Sequence, residues 1–187
     1  MNEDIKNALE VLKNGGVILY PTDTVWGLGC DATNPAAVDK IYKIKQRDDS
    51  KSMLVLLDDA GYIGSYVREV PNIAYDLIEL NEDPMTLIYP DAKNLAKNLI
   101  AEDGSIGIRI TKDEFCKQLL FRFRRPIVST SANISGSTAP AIYNEISQEI
   151  ISAADYVVKW RQNDKSKKKP SSIMKLGVKG DITIIRK

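Results

Sequence analysis

The sequence predicts an α/β fold, and three observations carry that expectation. Strand-like segments recur: an apolar run with β-branched members at 16–20, a second apolar run at 53–57, and isoleucines at alternate positions along 105–110. Segments with apolar residues at helical spacing stand between them. Proline or glycine punctuates the joins, as expected where one element stops and the next begins.

Residues 3–13 place Ile5, Ala8, Leu9 and Leu12 on one helical face, and Gly15-Gly16 supplies the stop. The run 16–20 reads as a strand covered on both faces, ended by Pro21, which cannot donate to a sheet ladder. The loop that follows, Pro21-Thr22-Asp23-Thr24-Val25-Trp26-Gly27-Leu28-Gly29-Cys30-Asp31, is the stretch around which the chain is organised. It offers three small polar groups at once. Gly27 and Gly29 then let backbone come close to a neighbour without a Cβ in the way.

Thr33-Asn34-Pro35 starts a helix with Val38, Ile41 and Tyr42 on its buried face. That helix delivers Lys45 and Arg47 at its C-terminal end, with Lys51 in a polar loop before the strand at 53–57. Pro71 opens a helix with Ile73, Ala74, Leu77 and Ile78 inward, and Pro84 leads into a strand at 85–89. Along 105–110 side chains alternate, so Ile106, Ile108 and Ile110 share one face and Ser105, Gly107 and Arg109 the other. A helix at 113–121 precedes the strand Ile127-Val128, which empties into a hydroxyl-rich loop at 129–136. Pro140 opens a helix carrying Ile142, Ile146 and Ile150, and 155–158 is a short strand. Residues 159–169 hold six basic residues and one Asp without apolar period, the pattern of a mobile loop. Strands at 170–174 and 182–186 follow. With no repeat or linker, residues 1–187 are expected to form one domain.

Composition narrows the function. The 187 residues carry a net charge of +1, 43% hydrophobic and 27% charged residues, as in an ordinary globular protein. Charge is uneven, because residues 151–187 hold ten Lys or Arg against three Asp. A basic segment on an acidic body points to an anionic ligand such as nucleotide or RNA. Two cysteines, no apolar leader and no membrane-length apolar run lead to the expectation of a reduced, cytoplasmic protein without membrane contact. Histidine is absent. That excludes His-based triads, His-ligated metals and imidazole acid–base chemistry.

Five polar clusters sit at or near strand or helix ends: Thr22/Asp23/Thr24, Lys45/Arg47/Lys51, Ser105/Arg109, Ser131/Asn133, and Ser171 with Arg186. Cations among hydroxyls suit phosphate and carboxylate, arginine as a planar fork and lysine as a point charge. Neither G-x-x-x-x-G-K-[ST] nor G-x-G-x-x-G is present.

On these motifs the sequence resembles the YrdC-like family, the single-domain threonylcarbamoyl-AMP synthases of the TsaC type. The residues that carry the resemblance are Pro21 to Leu28, Lys45-Gln46-Arg47, Gly107-Ile108-Arg109, Ser129-Thr130-Ser131-Ala132-Asn133 with Ser135-Gly136, and Pro170-Ser171-Ser172-Ile173. The resemblance implies a twisted mixed sheet with flanking helices around a concave basic surface. It implies synthesis of L-threonylcarbamoyl adenylate from L-threonine, bicarbonate and ATP, with release of pyrophosphate. Other proteins would then transfer the threonylcarbamoyl group to tRNA, and direct tRNA contact is a further expectation. By motif position, Thr24, Arg109, Ser131 and Ser171 are the threonine-side residues. Lys45, Arg47, Lys51, Ser105, Asn133 and Arg186 are those for ATP or bicarbonate, with Lys45 and Arg47 as the catalytic pair. Mg²⁺ would be bound through phosphate oxygens, with no dedicated protein metal site. Trp26 stands where the family has tyrosine and Leu56 where many members have histidine. Two alternatives stay open at this point: a carbamoyl-transfer domain of the hydrogenase-maturation type and a non-catalytic RNA-binding module.

Overall fold

Ile5, Ala8 and Leu12 bury completely at helical spacing, and the chain begins with helix α1 (Asn2–Lys13). In its first turn buried Asp4 accepts hydrogen bonds from the Tyr156 hydroxyl (2.9 Å) and the Lys159 N–H (2.8 Å). The computed structural model describes residues 1–46, 53–177 and 180–187.

Strand β1 (Ile18–Tyr20) turns back into β2 (Gly27–Gly29), paired antiparallel. Sequence reading left 27–29 in the loop, because glycines carry no strand signal. They are required by crowding. A Cβ on Gly29 would lie 2.6 Å from the Tyr20 ring and 2.8 Å from the Val128 carbonyl. The close approach at Gly29 is therefore to protein.

Asn34 caps α2 (Pro35–Lys45) by accepting from the Ala36 and Ala37 N–H groups, as Asn-Pro predicts. Then come β3 (Leu54–Leu57), the short α3 (Ile63–Tyr66), α4 (Ile73–Leu80), β4 (Met85–Tyr89) and β5 (Ile106–Ile110). Asp113 caps α5 (Glu114–Phe123), which leads to β6 (Ile127–Ser131). No helix opens at Pro140. A 3₁₀ turn spans Tyr143–Glu145, and α6 (Gln148–Ala153) begins where Ser147 Oγ accepts from the Ile150 N–H. The chain ends with β7 (Tyr156–Val157), β8 (Ser172–Leu176) and β9 (Ile182–Arg186).

The strands form one nine-stranded mixed sheet in the order β7-β1-β2-β6-β3-β5-β4-β8-β9. The expected mixed α/β architecture is what the chain adopts. β6 pairs antiparallel with both β2 and β3 and so joins the two halves of the sheet. β5 lies between β3 (parallel) and β4 (antiparallel), which puts Arg109 on an interior strand opposite Leu56. β9 lies at the sheet edge with its residues exposed.

Candidate active site

A cavity of about 240 Å³ opens among the β1–β2 turn, the starts of β3 and β8, and the ends of β5 and β6. Thr24, Trp26, Arg109, Ser131, Ser171 and Arg186 are among its lining residues. The four residues expected on the threonine side are thus gathered with Arg186 around one space. Residues separated by more than a hundred positions meet because the sheet order interleaves the chain.

Each wall has a local cause. In the β1–β2 turn, buried Thr22 donates to the Val25 carbonyl (2.8 Å), accepts from the Thr24 N–H (3.0 Å) and shares a hydrogen bond with the Thr24 hydroxyl (3.0 Å). These bonds hold Thr24 and Trp26 in place. Trp26 packs against Tyr143 with ring centroids 5.0 Å apart, so the aromatic wall is braced from outside. Ser171 shares a hydrogen bond with Thr86 at 2.8 Å. Arg186 donates from Nε and Nη2 to the Ser171 carbonyl.

Arg109 is the charged floor. It is 3% exposed, and neither its Nε nor its Nη2 has a hydrogen-bond partner. Nη2 lies 3.1 Å from Asp23 Oδ1, an ion pair without hydrogen-bond alignment. Leaving buried donors unbonded costs about 1–3 kcal/mol, so such donors are kept only where something else takes them up. Burial and, next, the Arg109 charge lower the Arg186 pKa from its ordinary value. Two guanidiniums facing one small space make it a site for anions. Burial also pushes the nearby Cys116 thiol far up, and it donates to the Pro21 carbonyl, so it is no nucleophile here.

The remaining expected residues divide. Lys45 is 2% exposed, and its ammonium donates to the carbonyls of Ser131 (2.6 Å) and Asn133 (2.7 Å). Sequence reading placed it as a cation directed at ligand; the fold puts it under the loop that carries Ser131. Asn133 donates its amide to the carbonyls of Ile134 (2.9 Å) and Ser137 (2.7 Å) and does not line the cavity. Ser105 precedes β5 at the opposite end from Arg109, where its hydroxyl donates to Asp103. It too is outside the cavity lining. Arg47 and Lys51 lie outside the described residues. The sequence groups Asp23 with the polar cluster Thr22/Asp23/Thr24 without giving it a role of its own, and it does not point to Thr86. Asp23 carried a signal, a carboxylate between two threonines after a buried strand; Thr86 carried none.

Among the described residues no group of three or more His, Cys, Asp or Glu side chains gathers as a metal cage. Among them, no helix is long and apolar enough to cross a membrane.

An α/β domain with a mixed sheet and an anion cavity ringed by hydroxyls is the class that this geometry defines. Residues 10–187 match the family model of Sua5, YciO and YrdC proteins, described as "Telomere recombination", and the chain belongs to that family. It is similar to a threonylcarbamoyl-AMP synthase of Pseudoalteromonas translucida, 35% identical over 157 residues, covering 82% of this chain and 84% of the relative. A putative threonylcarbamoyl-AMP synthase of Methanocaldococcus jannaschii is 34% identical over 179 residues, covering 93% and 83%. The crystal structure of P. abyssi Sua5 complexed with L-threonine superposes with a TM-score of 0.82 at 22% identity, a likeness of fold. That match covers 92% of this chain and 50% of the other, so the chain spans about half the length of that protein.

Proposed function

We propose that this protein is an L-threonylcarbamoyladenylate synthase, condensing L-threonine, bicarbonate and ATP with release of pyrophosphate. The observation that carries this reading is Arg109, buried at the floor of a small cavity with unbonded donors and surrounded by Thr24, Ser131 and Ser171. Such a floor takes a carboxylate, and such walls take a small hydroxylated side chain. The synthase names of relatives at 34–35% identity support the same reading over a carbamoyl-transfer domain or an RNA-binding module.

In this reading the amine of threonine attacks the carbon of bicarbonate, and loss of water leaves a carbamate. A carbamate oxygen then attacks the α-phosphorus of ATP, and pyrophosphate departs. Both steps gather negative charge, which cationic donors fixed in advance stabilise best. Arg109 orients the amino acid. Arg186 faces the nucleotide phosphates, with Arg47, Lys51, Ser105 and Asn133 assigned there by motif position. Lys45 acts by positioning, because its ammonium fixes the carbonyls of Ser131 and Asn133. Mg²⁺ would ride on the triphosphate oxygens and supply charge neutralisation there. The product feeds proteins that modify tRNA, and direct tRNA contact belongs to the same proposal. So does a cytoplasmic location, supported by the free, buried Cys30 and Cys116.

The deciding experiment measures pyrophosphate release from ATP. Release is expected to require both threonine and bicarbonate. Release indifferent to threonine, or none at all with both present, overturns the reading.

A further inference from the structure

Asp23 sits in the β1–β2 turn with its side chain 9% exposed. Its two carboxylate oxygens are in different situations. Oδ2 accepts from the Thr111 hydroxyl at 3.2 Å and from the Lys112 N–H at 3.3 Å. Oδ1 has no hydrogen-bond partner, although it lies 3.1 Å from Arg109 Nη2. Among the described residues it is the one buried carboxylate oxygen left so.

Structural ion pairs elsewhere in the molecule are finished differently. Asp31 binds Arg125 through Oδ2 at 2.8 Å while Oδ1 accepts from the Thr33 N–H and hydroxyl. Asp113 binds Arg161 through Oδ2 while Oδ1 caps α5. In both, each oxygen has a donor. The Asp23–Arg109 pair has the Coulomb attraction but lacks hydrogen bonds on both sides, since Arg109 Nε and Nη2 are also unbonded. A buried polar group without a partner is costly, and a charged one more so.

The pair also lies where two spaces meet. Arg109 lines the 240 Å³ cavity, Asp23 lines a larger groove of about 990 Å³, and Pro170 and Arg186 line both. An unfilled anionic acceptor and unfilled cationic donors, side by side and buried, are the complement of a molecule with an ammonium and a carboxylate on one carbon.

We propose that Asp23 Oδ1 receives the α-amino group of the amino acid substrate while Arg109 receives its carboxylate. This rests on the reading of the cavity as an amino acid site. It adds a binding residue that sets the amine, the reacting nitrogen, at the mouth between cavity and groove. It also makes the site selective for zwitterions over simple carboxylates, because a carboxylate alone would meet Asp23 as a like charge.

Calorimetry with L-threonine and with 3-hydroxybutanoate, threonine without its amine, tests this. The wild-type protein is expected to bind threonine at least tenfold more tightly. In Asp23→Asn that preference should fall to about twofold or less, while 3-hydroxybutanoate binds as well as or better than to wild type, because Arg109 no longer has a competing carboxylate. A purely structural ion pair would lose both ligands together. Asp23→Glu keeps the charge and displaces it by one methylene, so it serves if the Asn variant fails to fold; it should lose threonine at least fivefold and spare 3-hydroxybutanoate. Retention of the wild-type preference in Asp23→Asn, or equal loss of both ligands in either folded variant, overturns the assignment. Failure of the wild-type protein to bind threonine at all overturns the amino acid reading itself, and this inference with it.

Discussion

Arg186 hangs both Nε and Nη2 on a single acceptor, the carbonyl oxygen of Ser171, at 2.9 and 2.7 Å. The end of β9 thereby grips the residue just before β8, in keeping with the Ile173–Arg186 pairing of the two strands. The Ser171 hydroxyl is held separately by Thr86. A guanidinium used this way keeps its Nη1 side for a ligand, and lysine cannot reproduce the fork.

Arg186→Lys is therefore expected to reduce kcat/KM for ATP at least tenfold, the loss of one charge-assisted hydrogen bond of about 1.5–3 kcal/mol. The melting temperature of the ligand-free protein should move by no more than about 4 °C, the equivalent of roughly 1 kcal/mol in a chain of this size. Steady-state kinetics with ATP varied at saturating threonine, alongside a thermal melt, checks both parts.

Lys45 is a different kind of cation. Its ammonium satisfies two backbone carbonyls beneath the Ser131 loop, and each buried carbonyl left bare costs about 1–3 kcal/mol. Lys45→Met should lower stability in urea by about 2–4 kcal/mol and slow catalysis through disorder of the loop. A variant as stable as wild type would return Lys45 to the role of direct ligand contact.

At Gly29 an added methyl would strike the Tyr20 ring and the Val128 carbonyl, whereas at Gly64 nothing lies within 4 Å of the corresponding position. Overpacking of a tight core costs about 1–3 kcal/mol. Gly29→Ala should fall in that range in equilibrium unfolding, while Gly64→Ala, in helix α3, should be neutral or mildly stabilising.

One pH effect follows from Asp103. Hydrogen bonds from Lys175 and Ser105 hold its pKa at about 2, below the usual 3.8. A depressed carboxylate pKa contributes stability above pH 3.8 that is lost as pH falls towards 2. Because both side chains are largely exposed, the contribution is at most about 1 kcal/mol. The stability gap between wild type and Asp103→Asn should be constant above about pH 5 and close as acid approaches pH 2. Urea titrations at four or five pH values measure it.

Much of the cavity lining was legible, because hydroxyl and cationic residues among apolar strand residues stand out in local sequence. Arg109 stands on the face of β5 opposite three isoleucines, and Thr24, Ser131 and Ser171 sit at or beside strand ends. Partnerships were not legible. Arg109 meets Asp23 across 86 residues, and the destination of the Lys45 ammonium depends on how α2 is seated against β6. Helical period did not show where the helix after Pro140 begins; Ser147, with Glu149 in the first turn, was the overlooked cap signal. Strand β2 could not be read at all, since Gly27-Leu28-Gly29 is made a strand by its neighbours on either side.

The order of the sheet governs how the protein must be made. Before residues 127–131 leave the ribosome, β5 can pair with β3 and β4, and β1 with β2, but among the described residues no strand pairing joins those two groups. β6 arrives late and is the keystone, and β7 and β8 then dock on strands formed long before them. Contacts of such long sequence separation slow folding. From the completion of β5 at Ile110 until β6 begins at Ile127, the nascent chain therefore carries two sheet fragments with open edges that no strand pairing joins. In that interval, more than in the finished molecule, it depends on protection from aggregation.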